Sequence, residues 1–308
     1  MADVLVVGGN GFIGSYVVDA LSARGHQVAA FDRFGNSPAR YVAAGVEQIP
    51  GDFMNVADIR AAVAGRDVVL HFLSTTDPAS AENDPTLDVR TNITSSIEMF
   101  QLCAEAGVEK VYFASTGGAI YGDQDRRTFR ESDPTYPVSP YAIGKLAIEN
   151  YLRYFNRKHG LGYTVFRISN PYGPRQNPAK RQGVIPIFLR QIARDEPLTI
   201  FGDGSMVRDY VYVEDLAAMV ATAVTEGARQ DLYNLGSGVG HSVTEIVRGI
   251  EVATGRRADV SYREKPATFV DHVTLDTTRF CEDFGAPHLT ELTQGITRTW
   301  TDMLGSPS

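Results

Sequence analysis

The chain opens on an unbroken apolar run over residues 4–7, followed by a glycine-rich turn, an amphipathic stretch over 15–24 and a second apolar run over 27–31. A short apolar run bounded by turn residues predicts a strand buried on both faces, and a 3.6-residue period predicts a helix. The opening therefore predicts a strand-helix-strand unit. The alternation continues with a helix over 57–64, a strand over 68–72, a helix over 94–106 and a strand over 110–114. Strands separated by helices predict a parallel sheet covered on both faces. A polar, proline-rich stretch over 122–140, long enough to be a functional loop, leads into a helix that carries Tyr141, and residues 166–168 read as one more buried strand.

Past that strand the pattern loosens into Asn170-Pro171-Tyr172-Gly173-Pro174-Arg175-Gln176-Asn177-Pro178, which is rich in turn formers. A helix over 185–193, a strand over 198–201, a loop over 202–205, a strand over 210–213 and a helix over 215–225 follow. The expected architecture is α/β, with a doubly wound parallel sheet of the Rossmann type over 1–169 and a smaller mixed α/β substrate domain over 170–308. A return of the chain near 210–235 to the first domain makes the expected boundary discontinuous.

Composition changes this picture mainly by exclusion. A chain of 308 residues can bury a large core. Its net charge of −8, without a block of Lys or Arg, leaves no electrostatic footprint for a nucleic acid or an anionic membrane. Cys103 and Cys281 are far apart and lack ligand spacing, which points to packing roles in a reducing compartment and not to structural zinc. His71, His159 and His241 are equally scattered, so no metal is expected. No apolar run approaches the ~18 residues of a membrane span, and the N-terminus enters a strand without a basic segment, so a soluble cytoplasmic protein is expected.

Candidate chemistry sits first in Gly8-x-x-Gly11-x-x-Gly14, where glycines permit a tight turn, close approach of backbone to a pyrophosphate and close helix-to-strand packing. The turn follows a predicted strand and opens a helix, and Asp32 ends the next strand, where a carboxylate accepts hydrogen bonds from adenosine ribose hydroxyls. Asp32 repels a 2′-phosphate and so favours NAD over NADP, a preference that the neighbouring Arg33 softens. Asp52, in Gly51-Asp52-Phe53, suits either the adenine amine or a plain turn. Second, Tyr141 and Lys145 stand four residues apart, on one face of a helix, where the ammonium favours the phenolate and lowers its pKa. Alone, that spacing also fits a solvated helix face.

Together with Ser115-Thr116 and Arg208-Asp209-Tyr210, these motifs resemble the extended short-chain dehydrogenase/reductase family, over nearly the whole chain. Phe113-Ala114-Ser115-Thr116-Gly117-Gly118-Ala119-Ile120-Tyr121-Gly122, Asn170-Pro171-Tyr172-Gly173-Pro174-Arg175-Gln176 and Phe201-Gly202-Asp203-Gly204 look like its UDP-glucose 4-epimerase branch. The resemblance implies a tightly held NAD, a homodimer joined through helices 94–106 and 141–159, and a nucleotide sugar in a cleft between two domains. Tyr141 is then the base, Lys145 bonds the nicotinamide ribose and tunes Tyr141, and Thr116 hydrogen-bonds the sugar 4-hydroxyl. Phe12 and Ile13 join the glycine turn at the cofactor, with Asn36, Asp52 and Phe53 towards the adenosine. Phe72, Leu73, Ser74, Asn92, Ser115 and Pro171 line the rest of the cofactor.

For the sugar nucleotide, the resemblance implies a guanidinium at Arg208 and an amide at Asn170 on the diphosphate, Phe201 on the uracil, and Gly183, Val184 and Thr199 along base and sugar. A surface ion pair for Arg208 and a core role for Phe201 and Val184 remain open. The related dehydratases carry an Asp-Glu pair after the active-site Thr, because removing water from C5 and C6 needs a further acid and base. This chain has Gly117-Gly118, which favours epimerisation, with a cofactor-releasing reductase as the nearest rival and a non-enzymatic dinucleotide sensor as a remote one. Three departures stand out: no Arg-x-Gly-Asp around 262–269, where Arg263 or Lys265 could substitute; Thr76 in place of a lysine on the NAD phosphates; and Ser169 before Asn170. Ser169 with Ser115, Thr116 and the amides of Gly117 and Gly118 forms an expected donor-rich pocket for a C6 carboxylate, favouring UDP-glucuronate and UDP-galacturonate slightly over UDP-glucose and UDP-galactose.

Overall fold

The computed structural model describes residues 1–35, 38–176 and 183–305. Its strands are β1 (Asp3–Val7), β2 (Gln27–Asp32), β3 (Glu47–Pro50), β4 (Val68–His71), β5 (Lys110–Thr116), β6 (Thr128–Phe129), β7 (Gly162–Ile168), β8 (Asn170–Tyr172), β9 (Leu198–Phe201), β10 (Val207–Tyr212), β11 (Leu232–Leu235), β12 (Gly240–Ser242), β13 (Val260–Arg263) and β14 (His272–Leu275). The helices are α1 (Phe12–Ser22), α2 (Val56–Val63), α3 (Pro78–Asn83), α4 (Pro85–Asp88), α5 (Thr94–Ala106), α6 (Gly117–Ile120), α7 (Pro140–His159), α8 (Val184–Ala193), α9 (Val213–Glu226), α10 (Val243–Thr254), α11 (Thr278–Phe284) and α12 (Leu292–Gly305). Two compact units divide them. Unit 1 comprises Met1–Thr116, Ser139–Arg167 and Ala217–Tyr233, and unit 2 comprises Gly117–Val138, Ile168–Leu216 and Asn234–Ser308.

Unit 1 is built on a seven-stranded sheet of order β11-β7-β5-β4-β1-β2-β3. β1 runs parallel to both β2 and β4, which is why Val4, Leu5, Val6 and Val7 are all completely buried: helices cover both faces and leave no solvent side to alternate with. Leu5, Val7, Phe31, Val69, Phe100, Phe113, Leu152 and Phe155 belong to one core cluster. Strand order reverses between β1 and β4, and the carboxyl ends of such a pair form the crevice in which doubly wound sheets bind ligands. Helix α1 starts at Phe12, three residues before the apolar period begins, since the backbone turns helical at the cap while the period registers only sheet-facing side chains.

In unit 2, β10 pairs antiparallel with β12 and parallel with β14 and β8, while β9 and β13 form a separate parallel pair. Ile185, Phe188, Leu189 and Ile192 put one apolar face of α8 into a core with Leu198, Ile200, Ile246 and Trp300. Two short elements here lie outside the pattern read from the sequence. Asn170–Tyr172 is a strand, its ladder to Tyr210–Tyr212 outweighing local turn propensity, and Gly117–Ile120 is a helical turn. Among the described residues no helix is long and apolar enough to cross a membrane, and no cluster of His, Cys, Asp and Glu could hold a metal.

Candidate active site

Helix α7 has its start and stop written in the sequence. Ser139 caps it by accepting the Ala142 N–H, Pro140 occupies the first turn, Arg157, Lys158 and His159 meet the negative end of the dipole, and Gly160 ends it at φ +72°. One turn in from the cap, Tyr141 and Lys145 share a face. The Lys145 side chain is buried, 8% exposed, with Nζ donating to the Ala114 carbonyl at 3.0 Å and lying 5.8 Å from the Tyr141 ring centroid. Tyr141 is half-buried, and its hydroxyl makes no hydrogen bond among the described residues.

The electrostatics of the pair correct the sequence expectation. Burial pushes the Tyr141 phenol up to about 12, with Asp88 and Asp77 adding to the rise, so in the protein alone the ammonium does not bring the phenol down. Burial also pulls Lys145 down to about 8, against the opposing pull of Asp88 and Glu149. The spacing supplied the right neighbours, but desolvation of both groups outweighs their attraction.

Strand β5 delivers Ser115 and Thr116. Ser115 is buried and its hydroxyl donates to Glu149 Oε1 at 2.5 Å; Glu149 is paired in turn with Arg167, whose Nη2 is 2.8 Å from Oε2. The donor that Ser115 was expected to offer a ligand is therefore engaged within unit 1. Thr116 is half-buried, and its hydroxyl makes no hydrogen bond among the described residues. The Glu149–Arg167 pair was missed in the sequence, although Glu149 lies four residues beyond Lys145 on the same helix.

The glycine turn has the geometry of a phosphate cradle. Gly8 has φ +87°, and a Cβ there would stand 2.7 Å from the Leu73 backbone nitrogen; a Cβ on Gly14 would overlap the Gly8 carbonyl oxygen. Gly11 caps α1 with no side-chain hydrogen bond, so the first helical amides, from Phe12 and Ile13 on, are left for an anion. Asp32 ends β2 with its carboxylate half-buried, accepting the Asn10 and Arg33 N–H groups at 3.1 and 2.8 Å, while the Arg33 side chain is exposed. These features fit a dinucleotide. Phe72 bonds through its N–H to Val7 O, and Ser74 donates its hydroxyl to Thr76 O. Asp52 accepts the Met54 N–H, as a turn aspartate does. Phe53 is buried against His71 in the core. Asn36 lies outside the described residues.

Asn92 sits in a π-helical turn, Val89–Ile93, that the sequence did not disclose. Its side chain accepts from Thr75 N–H and donates to Thr76 Oγ1 and Asp88 Oδ1, at 2.9, 2.7 and 2.8 Å. Thr76, in place of a phosphate-binding lysine, is thus part of a buried network.

In unit 2, Asn170 Nδ2 donates to Asp209 O at 3.1 Å and lies 3.2 Å from where a Cβ on Gly118 would be, so the glycine leaves room for the amide. Gly117 is buried and Gly118 half-buried, and both belong to the first turn of α6, whose amides have no partner within the helix. Ser169 Oγ is buried with no hydrogen-bond partner. Pro171 is half-buried on β8, opposite Val211. Arg208 belongs to strand β10 and donates to the carbonyls of Val207, Val270 and Asp271; burial lowers its pKa, and no carboxylate pairs with it among the described residues. Of the two proposed substitutes for the missing Arg-x-Gly-Asp, Lys265 is paired with Asp271 at 2.5 Å and Arg263 is exposed on β13. Gly183 caps α8 at φ +86° ahead of Val184, and Thr199 lies 3.4 Å from Ser261. Phe201 is only half-buried and meets Phe269 edge-on at 5.7 Å between centroids.

The chain is similar to known proteins over nearly its whole length. A putative UDP-glucose 4-epimerase of Methanocaldococcus jannaschii is 31% identical over 297 residues, covering 96% of each chain. The crystal structure of Thermus thermophilus UDP-glucose 4-epimerase in complex with NAD superposes with a TM-score of 0.91 at 33% identity, over 99% of each chain. MoeE5, solved in complex with UDP-glucuronic acid and NAD, gives a TM-score of 0.87 at 28% identity, over 98% of this chain and 99% of its own. With residues 4–236 matching the family model, the chain belongs to the NAD dependent epimerase/dehydratase family.

Proposed function

We propose that this protein is an NAD-dependent 4-epimerase of a UDP-sugar, acting through a transient 4-keto sugar, with UDP-glucuronate and UDP-galacturonate as the leading pair ahead of UDP-glucose and UDP-galactose. The reading rests on one observation: a half-buried Tyr141, its hydroxyl without a hydrogen bond among the described residues, beside a buried Lys145, in the unit that also carries the dinucleotide cradle. NAD held in that cradle would supply an acceptor for the C4 hydride and a positive charge that favours ionisation of the phenol. Tyr141 takes the O4 proton as the alcohol becomes a ketone, Lys145 bonds the ribose and favours the tyrosinate, and Thr116 orients the 4-hydroxyl. Return of hydrogen to the opposite face of the sugar gives the C4 epimer with no net redox change. Gly117 and Gly118 follow Thr116 where dehydration would need an acid and a base.

Arg208 brings an unpaired guanidinium suited to the diphosphate, and Phe201 a half-buried ring suited to the uracil. Ser169 favours the uronate, because its hydroxyl is buried without a partner and a carboxylate is a stronger acceptor for it than a hydroxymethyl. MoeE5, with its UDP-glucuronic acid, lends the same support. Purified protein incubated with a panel of UDP-sugars, without added cofactor, should yield the C4 epimer by NMR and turn over the uronate fastest. Faster turnover of UDP-glucose would overturn the carboxylate preference, and turnover of no sugar would overturn the epimerase itself. Exposed Ile143, Tyr151 and Tyr154 on α7 support a homodimer seam, for which sedimentation equilibrium should return twice the chain mass.

A further inference from the structure

Asp88 is an acidic residue that the chemistry above does not use, yet it is one of the most buried carboxyl groups in unit 1, with 3% of its surface exposed. Its Oδ1 accepts two hydrogen bonds, from Thr76 Oγ1 at 2.5 Å and from Asn92 Nδ2 at 2.8 Å. Its Oδ2 makes no hydrogen bond among the described residues and stands where a Cβ on Gly144 would be. Gly144 lies in the interior of α7, between Tyr141 and Lys145, at a position where glycine weakens a helix relative to alanine. A glycine in that place has a packing reason: it admits a carboxylate to the helix face that bears the Tyr-Lys pair. The π-helical turn immediately after Asp88 continues the chain into Asn92, whose amide anchors the same carboxylate.

We propose that Asp88, seated in the gap left by Gly144, is a positioning residue whose carboxylate favours the ammonium form of Lys145 and sets the pH range over which the Tyr141–Lys145 pair works. A carboxylate lodged against the helix face is favoured by a nearby cation, and a buried ammonium whose hydrogen bond among the described residues is to a carbonyl is favoured by a nearby carboxylate. Asp88 and Glu149 are the acids that raise the affinity of Lys145 for its proton, but Glu149 is neutralised by Arg167, which leaves Asp88 as the uncompensated one. The other charged or titratable groups facing the pair are Asp77, at the start of α3, and His71 on β4, which burial and Lys145 hold well below the usual imidazole range. The charge of Asp88 also opposes ionisation of Tyr141, so one carboxylate holds both proton equilibria of the pair at higher pH.

This role rests on the epimerase reading only for its activity assay. In the NAD-loaded protein, ultraviolet titration of phenol ionisation, taken as the difference from Tyr141→Phe, should show the Tyr141 step moving acidward by about one pH unit in Asp88→Asn. That titration needs no sugar, so a wrong substrate assignment leaves it intact. Both limbs of the pH profile for epimerisation should move acidward by a similar amount, because loss of the negative charge releases the Lys145 proton more easily as well. Gly144→Ala, which puts a methyl group where Oδ2 stands, should produce a shift of the same sign, and the double variant should move no further than Asp88→Asn alone. A purely structural Asp88 would lower the height of the profile and leave its limbs and the phenol step in place, and that result overturns the proposal. Should Asp88→Asn fail to fold, Gly144→Ala decides in its stead: an unmoved phenol step in that variant is equally fatal.

Discussion

The two units meet the same demand, holding polar groups ready for a ligand, by opposite means. In unit 1 the proposed catalytic groups stand on long regular elements, and their neighbours are fixed by spacing: Tyr141, Lys145 and Glu149 recur every four residues along α7. In unit 2, Asn170 is held by the carbonyl of Asp209, and Arg208 by carbonyls 62 and 63 residues further along. The proposed catalytic pair, whose chemistry would tolerate little displacement, thus stands on a helix, where geometry is local and repeatable. The groups proposed to bind a sugar nucleotide stand on short strands and turns, where each contact can be changed separately.

The contrast is open to test, and the largest effect belongs to unit 1. Tyr141→Phe removes the proton acceptor and little else, so kcat for interconversion should fall about a thousandfold with KM hardly moved; a variant that kept its rate would remove unit 1 from the chemistry. Gly14→Ala drives a methyl into the Gly8 carbonyl, and overpacking of about 1–3 kcal/mol should weaken NAD retention up to about a hundredfold, read as loss of copurifying cofactor. Arg208→Lys keeps the charge but loses the planar fork, so KM should rise about tenfold while kcat stays close to wild type. A fall in kcat of the same size instead would erase the division of labour between the units. The mildest effect is that of alkaline pH: Lys145 works as an ammonium and burial has brought its pKa to about 8, so kcat/KM should decline as pH rises through that value. An activity flat to pH 10 would mean that its charge is not needed.

Much of unit 1 was legible beforehand because its signals are short-range. Glycines at 8, 11 and 14 have meaning as a turn whatever surrounds them, and Asp32 is placed by the end of the strand that carries it. Unit 2 was less open to reading. Asn170–Tyr172 looked like a turn until a ladder partner 40 residues away drew it into a strand, and whether Arg208 is free or ion-paired is decided by the 270–271 segment. Asp88 was overlooked for a related reason: its significance depends on Gly144, and neither residue is informative without the other.

What the sequence determined alone was the parallel α/β order, the phosphate cradle and the identity of the Tyr-Lys pair, because strand periodicity, glycine backbone freedom and helical spacing all act within a few residues. Tertiary structure alone decided which of those groups are charged and which are available. It buried Lys145 and withdrew the Tyr141 ring partly from water, so reversing the expected direction of the phenol shift, tied the Ser115 hydroxyl to Glu149, left the Ser169 hydroxyl without a partner, and set the Asp88 carboxylate against α7. Desolvation and hydrogen-bond partnership depend on segments far apart in the chain brought to within a few ångströms, and no local pattern encodes that approach.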